Sequence, residues 1–204
     1  IESFIEKNAL KRVKFVFHDY AVSVGQEILA RHLENKETKY EIDGAVFLNG
    51  GLIPSLHRPT FTQKLLTVPF LGALLSKLFN QRKFKIAFSE VFGPNTKPDD
   101  REIATLWKLI TYPGNIKIAH KLLHYIKDRR ENTKRWINAL TNTEVPLLFI
   151  NGESDPVSGK HLIEEIEKMP LKNAKIIRWK DIGHYPQWEN PNVCFEEIVK
   201  FLKT

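Results

Sequence analysis

The feature that constrains the fold most is a series of short apolar runs, each of which ends in a polar loop. Between the first two runs, apolar residues recur at helical spacing from Ala21 to about Leu33. Two runs have the length and composition of buried strands, Val13–Phe17 and Ala45–Leu48, and two further runs are predicted strands, Pro146–Ile150 and Ala174–Trp179. Because strand, helix and strand in this order form a βαβ unit, the sequence predicts an α/β fold with a parallel sheet, flanking helices and right-handed crossovers.

A helical region separates the second strand from the third. Between about Leu52 and Leu140 there is no convincing strand, and the apolar residues instead form stripes at helical spacing. The stripes are Ile103, Leu106, Trp107 and Ile110; Ile116, Ala119, Leu122, Leu123 and Ile126; and Trp136, Ile137 and Leu140. We therefore predict a core interrupted by a helical lid, with residues 1–51 as the first part of the core, 52–141 as the lid and 142–204 as the second part of the core.

Composition excludes several classes of protein. The chain has 204 residues, of which 42% are hydrophobic and 27% charged, and these values exclude global disorder. The single cysteine, Cys194, cannot form an internal disulfide and is interpreted as a small core residue. No stretch approaches the roughly 18 consecutive apolar residues of a membrane span, so none is predicted within the chain.

The net charge of +7 raises the question of nucleic-acid binding. The basic residues cluster at Lys121 and from Lys127 to Arg135, without an aromatic platform or a zinc-finger spacing. We interpret this cluster as a solvated helix face and predict no nucleic-acid partner. His120 and His124 have the i, i+4 spacing of a zinc pair, but no third ligand is evident, so we predict neither a metal nor a cofactor.

Three titratable residues follow predicted strands, at the ends where parallel sheets gather reactive groups. Asp19 lies in the turn after the first strand, and Asp155 and His184 each follow a later strand by five residues. Each has a structural alternative, because Asp19 can cap a helix, Asp155 can initiate a turn and His184 can be an ordinary loop residue. Glu189 is expected to support the His184 loop or to cap the last helix. Together, Asp19, Asp155 and His184 have the order and placement of an α/β-hydrolase triad, with Asp where Ser is usual.

Motifs along nearly the whole chain make this similarity specific. They are His18-Asp19-Tyr20, Asn49-Gly50-Gly51, His57-Arg58-Pro59, Gln63-Lys64-Leu65-Leu66, Val91-Phe92-Gly93-Pro94, Arg135-Trp136, Ala139-Leu140, Asp155-Pro156-Val157 and His184-Tyr185-Pro186-Gln187. The first resembles the Gly-His-Asp-x-Gly elbow of epoxide hydrolases and haloalkane dehalogenases. As a whole, the chain most closely resembles the mesoderm-specific transcript branch of the α/β-hydrolase superfamily.

The resemblance implies a mechanism. Asp19 would attack an electrophilic carbon to form an alkyl-enzyme ester, His184 would activate the water that hydrolyses it, and Asp155 would orient the imidazole. The backbone N–H of Tyr20 is one expected oxyanion donor. An epoxide also needs a lid hydroxyl to protonate its leaving oxygen, and Tyr125 is preferred for this over Tyr112. As a helix tyrosine, Tyr125 can also serve packing alone.

The resemblance also implies a small apolar substrate, such as an epoxide, a haloalkane or a lipid-derived compound. The alternative is a non-catalytic hydrolase-like protein that binds a lipid or a protein partner through its lid. The resembled branch is associated with the endoplasmic reticulum membrane, and any anchor would lie upstream of Ile1. The oligomeric state and the identity of the substrate stay open.

Two departures from the family pattern bear on activity. The elbow is crowded, so the residues two before and two after the nucleophile are normally small, whereas here they are Phe17 and Ala21. We expect Phe17 to hinder the tight turn, and the change Phe17→Gly to raise activity. The loop with the second oxyanion donor and the strands beyond the first strand are also missing, so the chain is expected to be the carboxyl-terminal two-thirds of a longer protein.

Overall fold

The computed structural model describes residues 1–35, 39–56, 80–113 and 125–203. In chain order its elements are α1 (Glu2–Lys7), β1 (Arg12–Phe17), α2 (Ala21–Glu34), β2 (Glu41–Phe47), a 3₁₀ turn (Pro54–Leu56), α3 (Gln81–Ser89), α4 (Asp100–Ile110), α5 (Tyr125–Glu131), α6 (Thr133–Asn142), β3 (Leu147–Gly152), α7 (Lys160–Ile166), β4 (Ala174–Trp179), α8 (Pro186–Glu189) and α9 (Pro191–Leu202). All four predicted strands are present, and β4 has the predicted bounds. The prediction that the first strand is buried is wrong for most of its length, because β1 lies at the edge of the described sheet and Val16 is 48% exposed. Several predicted features lie outside the described residues: His57-Arg58-Pro59, Gln63-Lys64-Leu65-Leu66, Lys121, the pair His120 and His124, and most of the second apolar stripe.

The four strands form one parallel sheet in the order β1-β2-β3-β4, which confirms the predicted α/β class. The register pairs Phe17 with Phe47 and Phe47 with Phe149 across three strands. Because these strands run in the same direction, the loops that follow β1, β2, β3 and β4 all leave from one edge of the sheet. That edge therefore brings together residues that are far apart in the chain.

Helices cover both faces of the sheet. On one face, α2, α6 and α7 bury a large apolar cluster that includes Phe47, Trp136 and Leu147. On the other face, α9 contributes Cys194, which is 1% exposed and packs with apolar residues of β2 and β3. Cys194 is thus the core residue that the sequence predicts, and burial raises the pKa of its thiol to about 11.

Helix α6, which the sequence assigns to the lid, packs along α2. The Arg135 guanidinium of α6 pairs with the carboxylates of Glu27 and Glu34, and the Trp136 indole N–H also donates to Glu27. Because these contacts join the segment before β3 to the helix after β1, they attach the carboxyl-terminal end of the predicted lid to the core. Over the described ranges, no helix combines the length and apolar character that crossing a membrane requires.

Candidate active site

The turn from β1 into α2 has a strained backbone. Asp19 has a φ angle of 50°, in the left-handed region that costs a residue with a side chain roughly 1–2 kcal/mol. Its N–H donates to the carbonyl oxygen of Asn49 at 2.8 Å, and the Ala21 N–H donates to His18 at 2.9 Å. We call this turn the elbow, because a strained turn between a strand and a helix presents the nucleophile in α/β-hydrolases.

The expectation that Phe17 hinders this turn is wrong. The Phe17 side chain is 3% exposed, and its ring stacks with Phe15 at a centroid distance of 5.1 Å and meets Phe47 at 5.3 Å. On the helix side, the ring lies where a side chain at Gly25 would have to be. Because Gly25 has none, the large ring fits under α2 and the elbow forms with Phe17 in place.

Asp155, in the loop after β3, is a buried carboxylate with four donors. Asp155 accepts hydrogen bonds from His184 Nδ1 at 2.7 Å, Asn49 Nδ2 at 3.0 Å, Ser158 Oγ at 2.6 Å and the Val157 N–H at 2.8 Å. Burial alone would raise its pKa, but these donors and the charge of His184 lower the pKa to about 2. The hydrogen bond from the Val157 N–H closes a local turn, which is the structural role that the sequence allowed for Asp155. Asp155 combines this role with its contact to His184.

The His184 ring lies between two carboxylates. Its Nδ1 contacts Asp155 Oδ2 at 2.7 Å, and its Nε2 lies 3.5 Å from Asp19 Oδ1. The backbone N–H of His184 donates to the Val91 carbonyl at 2.7 Å. Burial alone would lower the pKa of His184, but the two carboxylates outweigh it and raise the pKa to about 10. At neutral pH the ring is therefore an imidazolium.

The Asp19 carboxylate is the exposed member of this group, with a side chain that is 50% exposed. Its partial burial would by itself raise the pKa. The contact with His184 and the positive charges of His184, His18 and Arg129 outweigh that effect, so the pKa of Asp19 is lowered. The structure thus brings Asp19, Asp155 and His184 together at one edge of the sheet, with Asp19 ionised at neutral pH.

The remaining predicted site residues are placed differently from one another. Tyr20 occupies the N-cap position of α2, where backbone N–H groups lack acceptors within the helix, and its side chain forms no capping hydrogen bond. The Tyr125 ring meets the Tyr20 ring edge-on at 5.0 Å, and burial raises the pKa of Tyr125, with a smaller contribution from the charge of Asp19. Tyr112 follows α4 and is 67% exposed, and none of its described contacts reaches Asp19.

Solved structures with the same architecture include an epoxide hydrolase and a haloalkane dehalogenase. The epoxide hydrolase CorEH has a TM-score of 0.67 and 18% identity, covering 98% of this chain and 71% of its own. The haloalkane dehalogenase DatA from Agrobacterium tumefaciens has a TM-score of 0.70 and 14% identity, covering 99% of this chain and 70% of its own. These likenesses show that the chain has the α/β-hydrolase fold.

In sequence, the chain is similar to the mesoderm-specific transcript proteins, as its motifs predict. The Mus musculus protein is 33% identical over 208 residues, which cover 100% of this chain and 62% of the mouse protein. The Homo sapiens homologue is 34% identical over 196 residues, covering 95% of this chain and 58% of the human protein. The chain thus spans less than two-thirds of the length of these relatives. No protein-family model matches it.

Asn49 belongs to the candidate site, but its role could not be predicted from the sequence motifs. Its side chain donates to the Gly152 carbonyl at 2.9 Å and to Asp155 Oδ2 at 3.0 Å, and it accepts from the Gly152 N–H at 2.7 Å. Its carbonyl also accepts the Asp19 N–H. Asn49 therefore joins the turn of Asp19 to the loop of Asp155. The available signal was its position, directly after a buried strand at the same edge.

Glu189 supports the histidine loop, which confirms one of its two expected roles. Its carboxylate accepts backbone N–H groups of Gly93 at 2.7 Å, Gly183 at 2.9 Å and Tyr185 at 3.0 Å, and the Thr96 hydroxyl at 2.5 Å. The Glu189 carboxylate thus links both neighbours of His184 to the loop that precedes α4. Among the described residues, no group of three His, Cys, Asp or Glu side chains could hold a metal ion.

Proposed function

We propose that this protein is a hydrolase in which Asp19 forms an alkyl-enzyme ester that His184 and Asp155 then hydrolyse. The observation that carries the proposal is the His184 ring between two carboxylates, 2.7 Å from Asp155 and 3.5 Å from Asp19. Asp19 is also presented on a strained turn, half exposed and ionised. A carboxylate in this state is a nucleophile without help from a base.

In the first step, a carboxylate oxygen of Asp19 attacks a saturated, electrophilic carbon. The new ester C–O bond forms as the C–O bond of an epoxide or the carbon–halogen bond of a haloalkane breaks. A halide leaves as an ion, whereas the epoxide oxygen leaves as an alkoxide that needs a proton. Tyr125 is the hydroxyl proposed to supply that proton, because it faces the elbow from α5 and senses the charge of Asp19.

Ester formation changes the state of His184. The ester is neutral, so one of the two negative charges that raise the pKa of His184 is lost, and the ring releases its proton to solvent more readily. After epoxide opening, the Tyr125 phenolate regains its proton from solvent. Neutral His184 then takes a proton from water, and the resulting hydroxide attacks the ester carbonyl. The Tyr20 N–H is proposed to bind the developing oxyanion. Collapse releases an alcohol, regenerates the Asp19 carboxylate and leaves the imidazolium held by Asp155.

The proposed substrates are small, apolar epoxides or haloalkanes. Both classes carry the saturated electrophilic carbon that a carboxylate can attack, and CorEH and DatA are an epoxide hydrolase and a haloalkane dehalogenase by name. Support for a hydrolase of this kind comes from the shared fold together with the carboxylate, imidazole and carboxylate arrangement described above.

The test is to trap the ester. His184→Gln protein, incubated with styrene oxide or bromobutane, is expected to gain mass equal to the whole epoxide, or to bromobutane less hydrogen bromide. Peptide mapping should place the added mass on Asp19. The double variant Asp19→Ala, His184→Gln is the matched control and should gain none. The proposal is overturned if the wild type turns over a probe that never labels His184→Gln, or if the label persists in the double variant. Binding of a probe without turnover or label would favour the non-catalytic alternative.

A further inference from the structure

Helix α5 places a buried cation against the elbow. The Arg129 side chain is 2% exposed, and its Nε donates to the Ser23 hydroxyl at 2.6 Å. Its Nη2 donates to the backbone carbonyl of Asp19 at 3.3 Å. Among the described residues, no carboxylate lies within ion-pair distance of Arg129. Burial of a charge without an ionic partner is unfavourable, so an ion pair does not explain the burial of Arg129.

The contacts of Arg129 are all directed at the elbow and its surroundings. The guanidinium carbon lies 4.4 Å from the centre of the Tyr125 ring, which in turn meets the Tyr20 ring. Arg135 offers a contrast, because it also joins the insert to α2 but does so through two carboxylates of that helix and is 31% exposed. Arg129 instead binds the carbonyl of the one elbow residue that has a left-handed backbone.

We propose that Arg129 is a positioning residue for the Asp19 nucleophile. Its hydrogen bond to the Asp19 carbonyl holds the strained turn, and its charge favours the ionised Asp19 carboxylate. The inference deepens the proposed function and rests on it. This role also gives a reason for the buried cation on the lid helix α5. A residue with a strained backbone keeps its conformation only where its neighbours hold it in place, and Arg129 is one of those neighbours.

The effect of the Arg129 charge on the pKa of Asp19 can be separated from the effects of the other groups around Asp19. These groups are His184 and Asp155 from the loops after β4 and β3, Tyr185 beside His184, His18 and Tyr20 from the turn itself, and Tyr125 and Arg129 from α5. Of this set, Arg129 is the group whose positive charge persists at every accessible pH. Arg129 lowers the pKa of Asp19, as His184 and His18 do.

The experiment compares Arg129→Met and Arg129→Lys with Arg135→Met, each in the His184→Gln protein. We expect Arg129→Met to slow labelling of Asp19 by styrene oxide about 10²-fold, the loss that a misplaced reactive group typically causes. Arg129→Lys keeps the charge but not the planar donor, so labelling should slow while Asp19 still titrates nearly as in the parent. Arg135→Met should lower the thermal unfolding midpoint and leave the labelling rate unchanged.

A second measurement needs no substrate. Titration of the Asp19 carboxyl, followed by carbon NMR, should show a higher pKa in Arg129→Met and an unchanged pKa in Arg135→Met. If no probe labels the His184→Gln parent, the proposed function fails, and this titration still decides the role of Arg129. Should Arg129→Met not fold, Arg129→Lys and Ser23→Ala, which removes the Nε acceptor, provide the same comparison. The inference is overturned if labelling and titration match the parent, or if labelling falls only in proportion to lost stability.

Discussion

Phe17 and Gly25 are complementary in shape. A Cβ atom at Gly25 would lie 2.5 Å from Cδ2 of the Phe17 ring and 2.7 Å from Cε2, closer than real Cβ atoms come to their neighbours. A large residue two positions before the proposed nucleophile is therefore matched by the absence of a side chain on the helix that follows. The pair allows Asp19 to adopt its strained backbone although Phe17 is not small.

Gly25→Ala should destabilise the protein by about 1–3 kcal/mol, the usual cost of overpacking a core. Phe17→Gly should cost about 3–5 kcal/mol, because it opens a cavity beside Phe15 and Phe47, and we no longer expect it to raise activity. Phe17→Leu should partly restore the stability of Gly25→Ala. Chemical denaturation measures all of these free energies. A Gly25→Ala protein as stable as the wild type would contradict the shape argument.

Tyr125→Phe should affect one substrate class and spare the other. Labelling of the His184→Gln protein by styrene oxide should slow by about 10²–10⁴-fold, the usual contribution of a general acid, whereas labelling by bromobutane should not change. The reason is that a halide ion leaves without being protonated, whereas the epoxide oxygen needs a proton from a donor. Tyr112→Phe is the matched control and should leave both rates unchanged, since that tyrosine is 67% exposed. Equal losses with both probes would assign Tyr125 to packing.

Asn49→Asp should destabilise the folded protein because it replaces a hydrogen-bond donor to Asp155 with a second carboxylate. The Asn49 amide nitrogen lies 3.0 Å from Asp155 Oδ2, so the new oxygen would repel that group. Asn49→Ala should cost about 1–3 kcal/mol by leaving the Gly152 N–H without an acceptor. At neutral pH, Asn49→Asp should be the less stable of the two, and the gap should narrow in acid. Thermal unfolding tests this, with the exposed change Asn142→Asp as the control.

The stability of the protein should depend on pH through His184 and Asp155. The folded-state pKa of His184 is raised to about 10, so between its ordinary value of 6.5 and that pH the folded state holds the extra proton, and stability falls as pH rises. The pKa of Asp155 is lowered to about 2, so its contribution is present above the ordinary value of 3.8 and is lost as pH falls toward about 2. Each slope is at most about 1.4 kcal/mol per pH unit for one proton.

Measurement of the unfolding free energy of the wild type and of His184→Gln across this range separates the two effects. Because the same contact shifts both groups, the variant should lose the alkaline slope entirely and part of the acid slope. An alkaline slope of undiminished size in His184→Gln would show that other groups cause it.

The strands and the proposed catalytic residues could be predicted because their signals are local. The predicted strand Ala174–Trp179 has the bounds of β4, and each of the four predicted strands joins the parallel sheet. Parallel strands end at the same edge, so residues a few positions beyond them converge without any knowledge of side-chain contacts. That geometry alone placed Asp19, Asp155 and His184 in one group.

Other features required contacts between distant parts of the chain. Asn49 binds Asp155 across 106 positions, and Arg129 binds the Asp19 carbonyl across 110 positions, so no local pattern indicates either bond. The sequence favours Tyr125 over Tyr112 as the lid hydroxyl, but only the packing shows that Tyr125 contacts the elbow and that Tyr112 is exposed to solvent.

The sequence by itself determined the order of strands and helices and the three residues beyond the strand ends, because hydrophobic periodicity and parallel topology follow from short-range pattern. Only the tertiary structure decided whether the elbow accommodates Phe17, because that depends on the volume left free by Gly25 on a neighbouring helix. It also decided the charge state of the site, since the pKa of His184 depends on two carboxylates that other loops bring to it.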